Sequence, residues 1–173
     1  MNPILPILLL ATSPLLGQGR FPALQGELAD GRRVELPGAP PNALLIGLAV
    51  STKAQADLEA WYEPAYLRFV AKHGLFANAY RADVYFVPLF TGMNKAGYEP
   101  SMKKFRKGAS PEVADRVVFA KAELDEVREA LGIKDRDIPY FFVVDREGRI
   151  LHRASGRFSD AKLEAIEEVL LGL

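Results

Sequence analysis

The sequence contains no cysteine. That absence excludes disulfides, thiolate nucleophiles, iron–sulfur clusters and thiolate zinc sites. It also excludes dithiol–disulfide exchange, in which the attacking group is a thiolate. Histidine is nearly as scarce. His73 and His152 stand far apart, and neither belongs to a pair one helical turn apart of the kind that binds a metal. No metal site and no cofactor is therefore expected. An excess of charge of one sign is missing too: Lys plus Arg and Asp plus Glu both total 22. No net field draws in a nucleic acid or an anionic membrane, so no nucleic-acid partner is expected. Long hydrophobic runs are also lacking. The apolar stretch from Ile4 to Leu16 is broken by Pro6 and by Thr12-Ser13-Pro14, and it is shorter than the roughly 20 apolar residues that a bilayer span needs.

What is present has the make-up of a globular domain: 173 residues, 49% hydrophobic and 25% charged, enough for one core. Met1 to Gly19 carry no charged side chain, and the apolar stretch inside them has the length of a signal-peptide hydrophobic region. Gly17 and Gly19 offer small residues at the two positions that a signal peptidase reads, so cleavage before Arg20 is expected. The expectation is thus a removable segment 1–19 and a domain over 20–173. The mature protein would be periplasmic or extracellular, without direct membrane insertion; the alternative, since only the α-amino group supplies positive charge ahead of the apolar stretch, is a frayed apolar arm on a cytosolic protein. With no cysteine after the apolar run, a lipid anchor is excluded.

Along the chain, Leu24 to Leu28 and Arg33 to Leu36 flank the turn signal Ala29-Asp30-Gly31, which reads as a β-hairpin. Pro37, Pro40 and Pro41 mark a loop. Ala43 to Val50 is nearly all apolar, the pattern of a central strand covered on both faces. Leu58, Trp61, Tyr62, Tyr66, Phe69 and Val70 recur at steps of three and four, predicting a helix over 53–73, kinked by Pro64 and stopped by Gly74. Asp83 to Phe90 is a second apolar strand, Thr91 to Gly97 a loop, and Tyr98 to Lys107 a short polar helix or turn. Arg116 to Ala120 reads as a further short strand. A helix from about Ala122 carries Leu124, Val127 and Leu131 on one face and closes at Gly132. Tyr140 to Val144, the turn Asp145 to Gly148 and Arg149 to Arg153 form a second hairpin. Ser159 is the expected N-cap of a last helix lined by Leu163, Ile166, Leu170 and Leu173, with Phe158 stapled onto Leu163.

This order, a strand-helix-strand half followed by a strand-strand-helix half, matches an α/β thioredoxin-like fold: a mixed central sheet flanked by helices, preceded by an N-terminal hairpin. Several positions extend the resemblance: Phe21-Pro22 with Gly26 and Leu28, Gly31 to Pro37, Trp61 with Pro64 and Phe69, and Leu131-Gly132-Ile133. Pro139, Val144-Asp145, Gly148-Arg149-Ile150 and Gly156 complete the set. With these residues the chain resembles the family of the mitochondrial ATPase complex subunit ten, an ATP synthase assembly factor, and its bacterial relatives. That family's arginine-tryptophan pair after the last hairpin is replaced here by Leu151-His152-Arg153. The resemblance to thioredoxin-like proteins implies that Pro139 is the cis-proline that faces the active-site loop. From the residues alone, Pro139 is equally a trans proline opening a strand.

In redox-active relatives the cysteine pair lies where this chain reads Ser51-Thr52-Lys53-Ala54-Gln55. Ser51 would need a neighbouring base to act as a nucleophile, and capping the following helix is the simpler role. Trp61 and Tyr62 read as core aromatics. The acidic cluster Glu123, Asp125, Glu126 and Glu129 reads as a solvated helix face, as do Glu164, Glu167 and Glu168. No paired acid, base or nucleophile emerges. The expected function is that of a non-enzymatic binding or assembly protein acting on another envelope or membrane-complex protein. It would use a groove formed by Ser51, Thr52, Lys53, Ile138 and Pro139, where an extended segment can add as a strand. The alternative is a cysteine-independent enzyme or small-ligand binder on the same scaffold.

Overall fold

Every residue of β3 (Ala43–Ala49) is buried, as the unbroken apolar run requires of a strand covered on both faces. The computed structural model describes residues 19–71 and 81–173, so the expectations for segment 1–18, His73 and Gly74 lie outside the described residues. β3 pairs in parallel with β4 (Ala82–Thr91) and antiparallel with β6 (Tyr140–Val144). β4 pairs in parallel with β5 (Phe119–Ala122), and β6 pairs antiparallel with β7 (Ile150–Ser155). The N-terminal hairpin of β1 (Leu24–Glu27) and β2 (Arg33–Leu36) joins through β1 to β5. The result is one seven-stranded mixed sheet in the order β2-β1-β5-β4-β3-β6-β7. Gly26 allows β1 to come this close to β5, since a Cβ there would press on Val118 and lie 2.7 Å from the Phe119 carbonyl oxygen.

Alternation along the strands divides the core in two. Leu45, Val84, Phe86, Phe141 and Val143 point to one face, under α1 (Thr52–Glu59), α3 (Tyr98–Gly108) and α6 (Asp160–Leu171). Leu44, Ile46, Val87, Phe142 and Val144 point to the other, with Phe21, Leu36 and the Val127 and Leu131 side chains of α5 (Leu124–Leu131). Helices therefore cover both faces. Gly132 ends α5 in the left-handed conformation, φ 64°, where glycine carries no Cβ penalty. The acidic side chains of α5 and Glu123 before it are exposed, as are Glu164 and Glu168, while Glu167 pairs with Arg68.

Five expectations need correction. The helix predicted over 53–73 breaks: α1 ends at Glu59, α2 is a single turn (Tyr62–Ala65), and a π-helical stretch, Tyr66–Val70, follows. Proline at 64 has no N–H for the Ala60 carbonyl, so the chain tightens one turn earlier, with the Trp61 N–H donating to the Leu58 carbonyl. Thr91 to Gly97 is not a plain loop, because Gly92–Gly97 winds into a 3-10 helix that leads into α3 and then the single turn α4 (Pro111–Ala114). Ser159 has the extended backbone of an N-cap, but its side chain makes no capping bond. Leu173 is exposed rather than lining α6. Finally, the Ile138–Pro139 bond is trans. Pro139 sits directly before β6, a position that does not require its missing N–H, and its carbonyl accepts from Gly156 N–H at 2.8 Å. Among the described residues the cis bond is Leu36–Pro37, at the end of β2.

Candidate functional site

Sheet register decides which loops meet. Leu48 near the end of β3 stands opposite Tyr140, the first residue of β6. The turn that leaves β3 and the loop that enters β6 must therefore lie side by side. Ser51 leaves the strand in an extended conformation, and its Oγ accepts the Ala54 N–H at 3.1 Å, an N-cap satisfying one of the free donors of α1. The same hydroxyl donates to Asp137 Oδ1 at 3.5 Å, and Lys53 Nζ donates to Asp137 Oδ2 at 3.3 Å. Both partners of that ion pair are more than half exposed, so the pair orients the loops more than it stabilises them.

Asp137 is held in turn. Its N–H donates to Asp135 Oδ1 at 2.8 Å, and the Tyr140 hydroxyl accepts the backbone N–H groups of Lys134 and Asp135 at 3.1 and 2.9 Å. The structure thus brings Ser51, Lys53 and Asp137 into contact. Ile138 and Pro139 follow directly, half-buried and buried respectively, while Thr52 is exposed and lines a cleft of about 630 Å³ on the α1 side. Between Asp137 and Pro139, the peptide N–H and carbonyl of Ile138 make no hydrogen bond among the described residues.

The sequence assigned no site role to Asp137 or Tyr140. Asp137 was visible beside Ile138-Pro139, but its partnership with Lys53 depends on register between segments 84 residues apart. Nothing in the chemistry points to nucleophilic catalysis by Ser51. Its hydroxyl is engaged in capping, its carboxylate neighbour is already paired with Lys53, and His152 lies three rungs along β7 from the Tyr140 pairing, roughly 10 Å away. Burial holds the His152 imidazole below its ordinary pKa. Trp61 is fully buried, packed on Phe141 at 3.9 Å between centroids with the rings tilted by 31°, and its indole N–H donates to the Gly156 carbonyl. It is a core residue rather than a binding patch. Among the described residues no three His, Asp or Glu side chains converge as a metal site, and no helix is long and apolar enough to cross a membrane.

The thiol:disulfide interchange protein DsbE of Chlorobium tepidum superposes on 91% of this chain and 97% of its own, with a TM-score of 0.58 and 19% identity. The fold is thioredoxin-like. The thioredoxin domain of a thiol-disulfide oxidoreductase from Bacteroides vulgatus gives a TM-score of 0.57 at 15% identity, covering 90% of this chain and 99% of that one. BsSco, a member of the Sco family of cytochrome c oxidase assembly proteins, gives 0.55 at 15% identity, covering 91% of this chain and 94% of that one. At such identities the likeness speaks for fold alone. It bears out the thioredoxin-like part of the resemblance and not the assignment to the ATPase complex subunit ten family. No protein-family model and no curated protein matches the chain.

Proposed function

We propose that this protein is an exported, cysteine-free binding protein on a thioredoxin-like scaffold, an assembly factor that holds an extended segment of another envelope protein against the Ser51–Lys53 turn and the Ile138–Pro139 loop. The observation that carries the reading is the free peptide of Ile138, a donor and an acceptor left unpaired beside the Ser51, Asp137 and Lys53 constellation. An extended partner strand would satisfy both groups through its own backbone, the way strand addition gains affinity. The trans geometry of Pro139 does not remove this capacity, because the free groups belong to the residue before it. With no thiol in the chain, such a complex would form and dissolve without redox exchange. Two neighbours lend the reading support by their own descriptions: BsSco, from a family of assembly proteins, and Etrx1 of Streptococcus pneumoniae, an exposed lipoprotein thioredoxin. The resemblance to the ATPase complex subunit ten family makes an ATP synthase subunit the first partner to look for.

The test is site-specific crosslinking in the native host. A photo-crosslinking residue at position 53 should yield an adduct with one envelope protein, and the same residue at Lys103 on α3 should not. The captured chain should begin at Arg20 by intact mass. Identical adducts at both positions would overturn the assigned surface, and a protein that still begins at Met1 in the cytosol would overturn export.

A further inference from the structure

The cleft of about 630 Å³ on the α1 side is built differently from the loop face beside it. α1 docks on β3 and α3 docks on β5, so a gap opens between the two helices above β4, with Pro88 at its base. The floor is apolar: Pro88 and Phe119 are buried, and Tyr62, Phe105 and Val113 are half-buried around them. Phe105 leans on Phe119 at 5.4 Å between centroids, which fixes the floor's shape. On one wall stands Glu59 and on the other Lys104, both exposed. Neither has an ion pair or hydrogen bond among the described residues, and they do not pair with each other. Tyr62 also lines the cleft, and its hydroxyl makes no hydrogen bond among the described residues. Burial, reinforced by the Glu59 charge, raises its pKa, so it stays a neutral donor.

An apolar floor of this volume with a few polar groups on its walls is the make-up of a small-molecule site. Lone charges of opposite sign on opposite walls ask for a ligand that carries both signs at its two ends. The helices bearing them sit over strands two positions apart in the sheet, so the walls are separated by about 10 Å. A free amino acid has both charges on one carbon and cannot span that gap. Three residues of extended chain, at about 3.3 to 3.6 Å each, can. We propose that this cleft binds a short apolar peptide of three residues with free termini, its ammonium group at Glu59 and its carboxylate at Lys104. Its side chains lie on Phe105, Phe119 and Pro88, and a peptide carbonyl accepts from the Tyr62 hydroxyl. The cleft borders the partner-binding surface proposed above at Thr52, but the groups that hold the peptide lie outside that surface.

Calorimetric titration of the chain over 20–173 with the tripeptide Ala-Phe-Leu, free at both ends, tests this. The free tripeptide should bind, and its N-acetylated, C-amidated form at least about tenfold more weakly. Glu59→Gln and Lys104→Gln should each weaken the free tripeptide by about tenfold while leaving the capped one unchanged, and Tyr62→Phe by about threefold. Lys53→Gln should have no effect on either. The rim variants are exposed, and thermal melts should show them folded like wild type. Equal binding of free and capped peptide, no binding of the free peptide up to about 10 mM, or unchanged affinity in both rim variants would overturn the proposal. So would binding of an unfolded protein chain in the cleft with no dependence on free termini, which would make it a docking groove for proteins.

Discussion

Phe142, in the middle of β6 opposite Ile46, and Ser51, just past the end of β3, do different work. Phe142 is 1% exposed in β6, edge-on to Phe21 at 5.5 Å, with the Arg153 guanidinium over its ring at 5.4 Å. Phe142→Ala removes that ring from a closed cluster and should destabilise the fold by about 3 to 5 kcal/mol in urea unfolding. Ser51→Ala loses one cap and should cost about 0.5 to 2 kcal/mol. Asp145 offers a test by pH. Its burial alone would raise the carboxyl pKa, but backbone N–H groups of Arg149 and Glu147 and the Arg149 guanidinium, at 2.7 Å, more than offset this and lower it from 3.8. A depressed carboxylate stabilises fully above its unfolded value and loses that contribution as pH falls through the folded one. Melting temperature should therefore drop on acidification from about pH 4 downward, and Asp145→Asn should flatten that acid limb. At this scale the sequence shows capping at Ser51, since Ser before a helix is its own signal. It hides Asp137, whose role comes from a contact far along the chain, and it misleads at Pro139, where family likeness implied an isomer that the local backbone does not require.

The interior strands β3, β4 and β6 have hydrogen-bonded neighbours on both sides, whereas β2 and β7 are edges. In native-state hydrogen exchange, amides of β3 and the inner half of β4 should exchange slowest and those of β2 orders of magnitude faster. Equal protection in β2 and β3 would contradict the order of the sheet. Apolar runs made these interior strands legible, because a strand buried on both faces has no polar positions to blur it. The helix around Pro64 was less legible. Its apolar period continues through the break, and period alone does not say that the missing N–H at 64 is absorbed by a tightened turn at Trp61 and a π-helical stretch after it.

Taken whole, the molecule reaches its core without a covalent staple: Leu45, Ile46 and Leu48 are 0% exposed, and so are Trp61 and Val143. Its melting temperature should be the same with and without millimolar dithiothreitol. Insulin-disulfide reduction should not exceed a buffer blank, as expected for a protein with no attacking thiolate. Strand-helix-strand order was enough to read the overall architecture, while the cleft between α1 and α3 was not readable, because a gap between helices is set by which strands they dock on.

The sheet also works as a partition. Leu58 belongs to the cluster on one side and Leu131 to the cluster on the other, with no shared packing partners. Leu58→Ala and Leu131→Ala should then add in a double-mutant cycle to within about 0.5 kcal/mol. Substitutions that reshape the α1 and α3 side for a new ligand leave the α5 side intact. One half of such a chain is free to diverge in specificity while the other half keeps it folded.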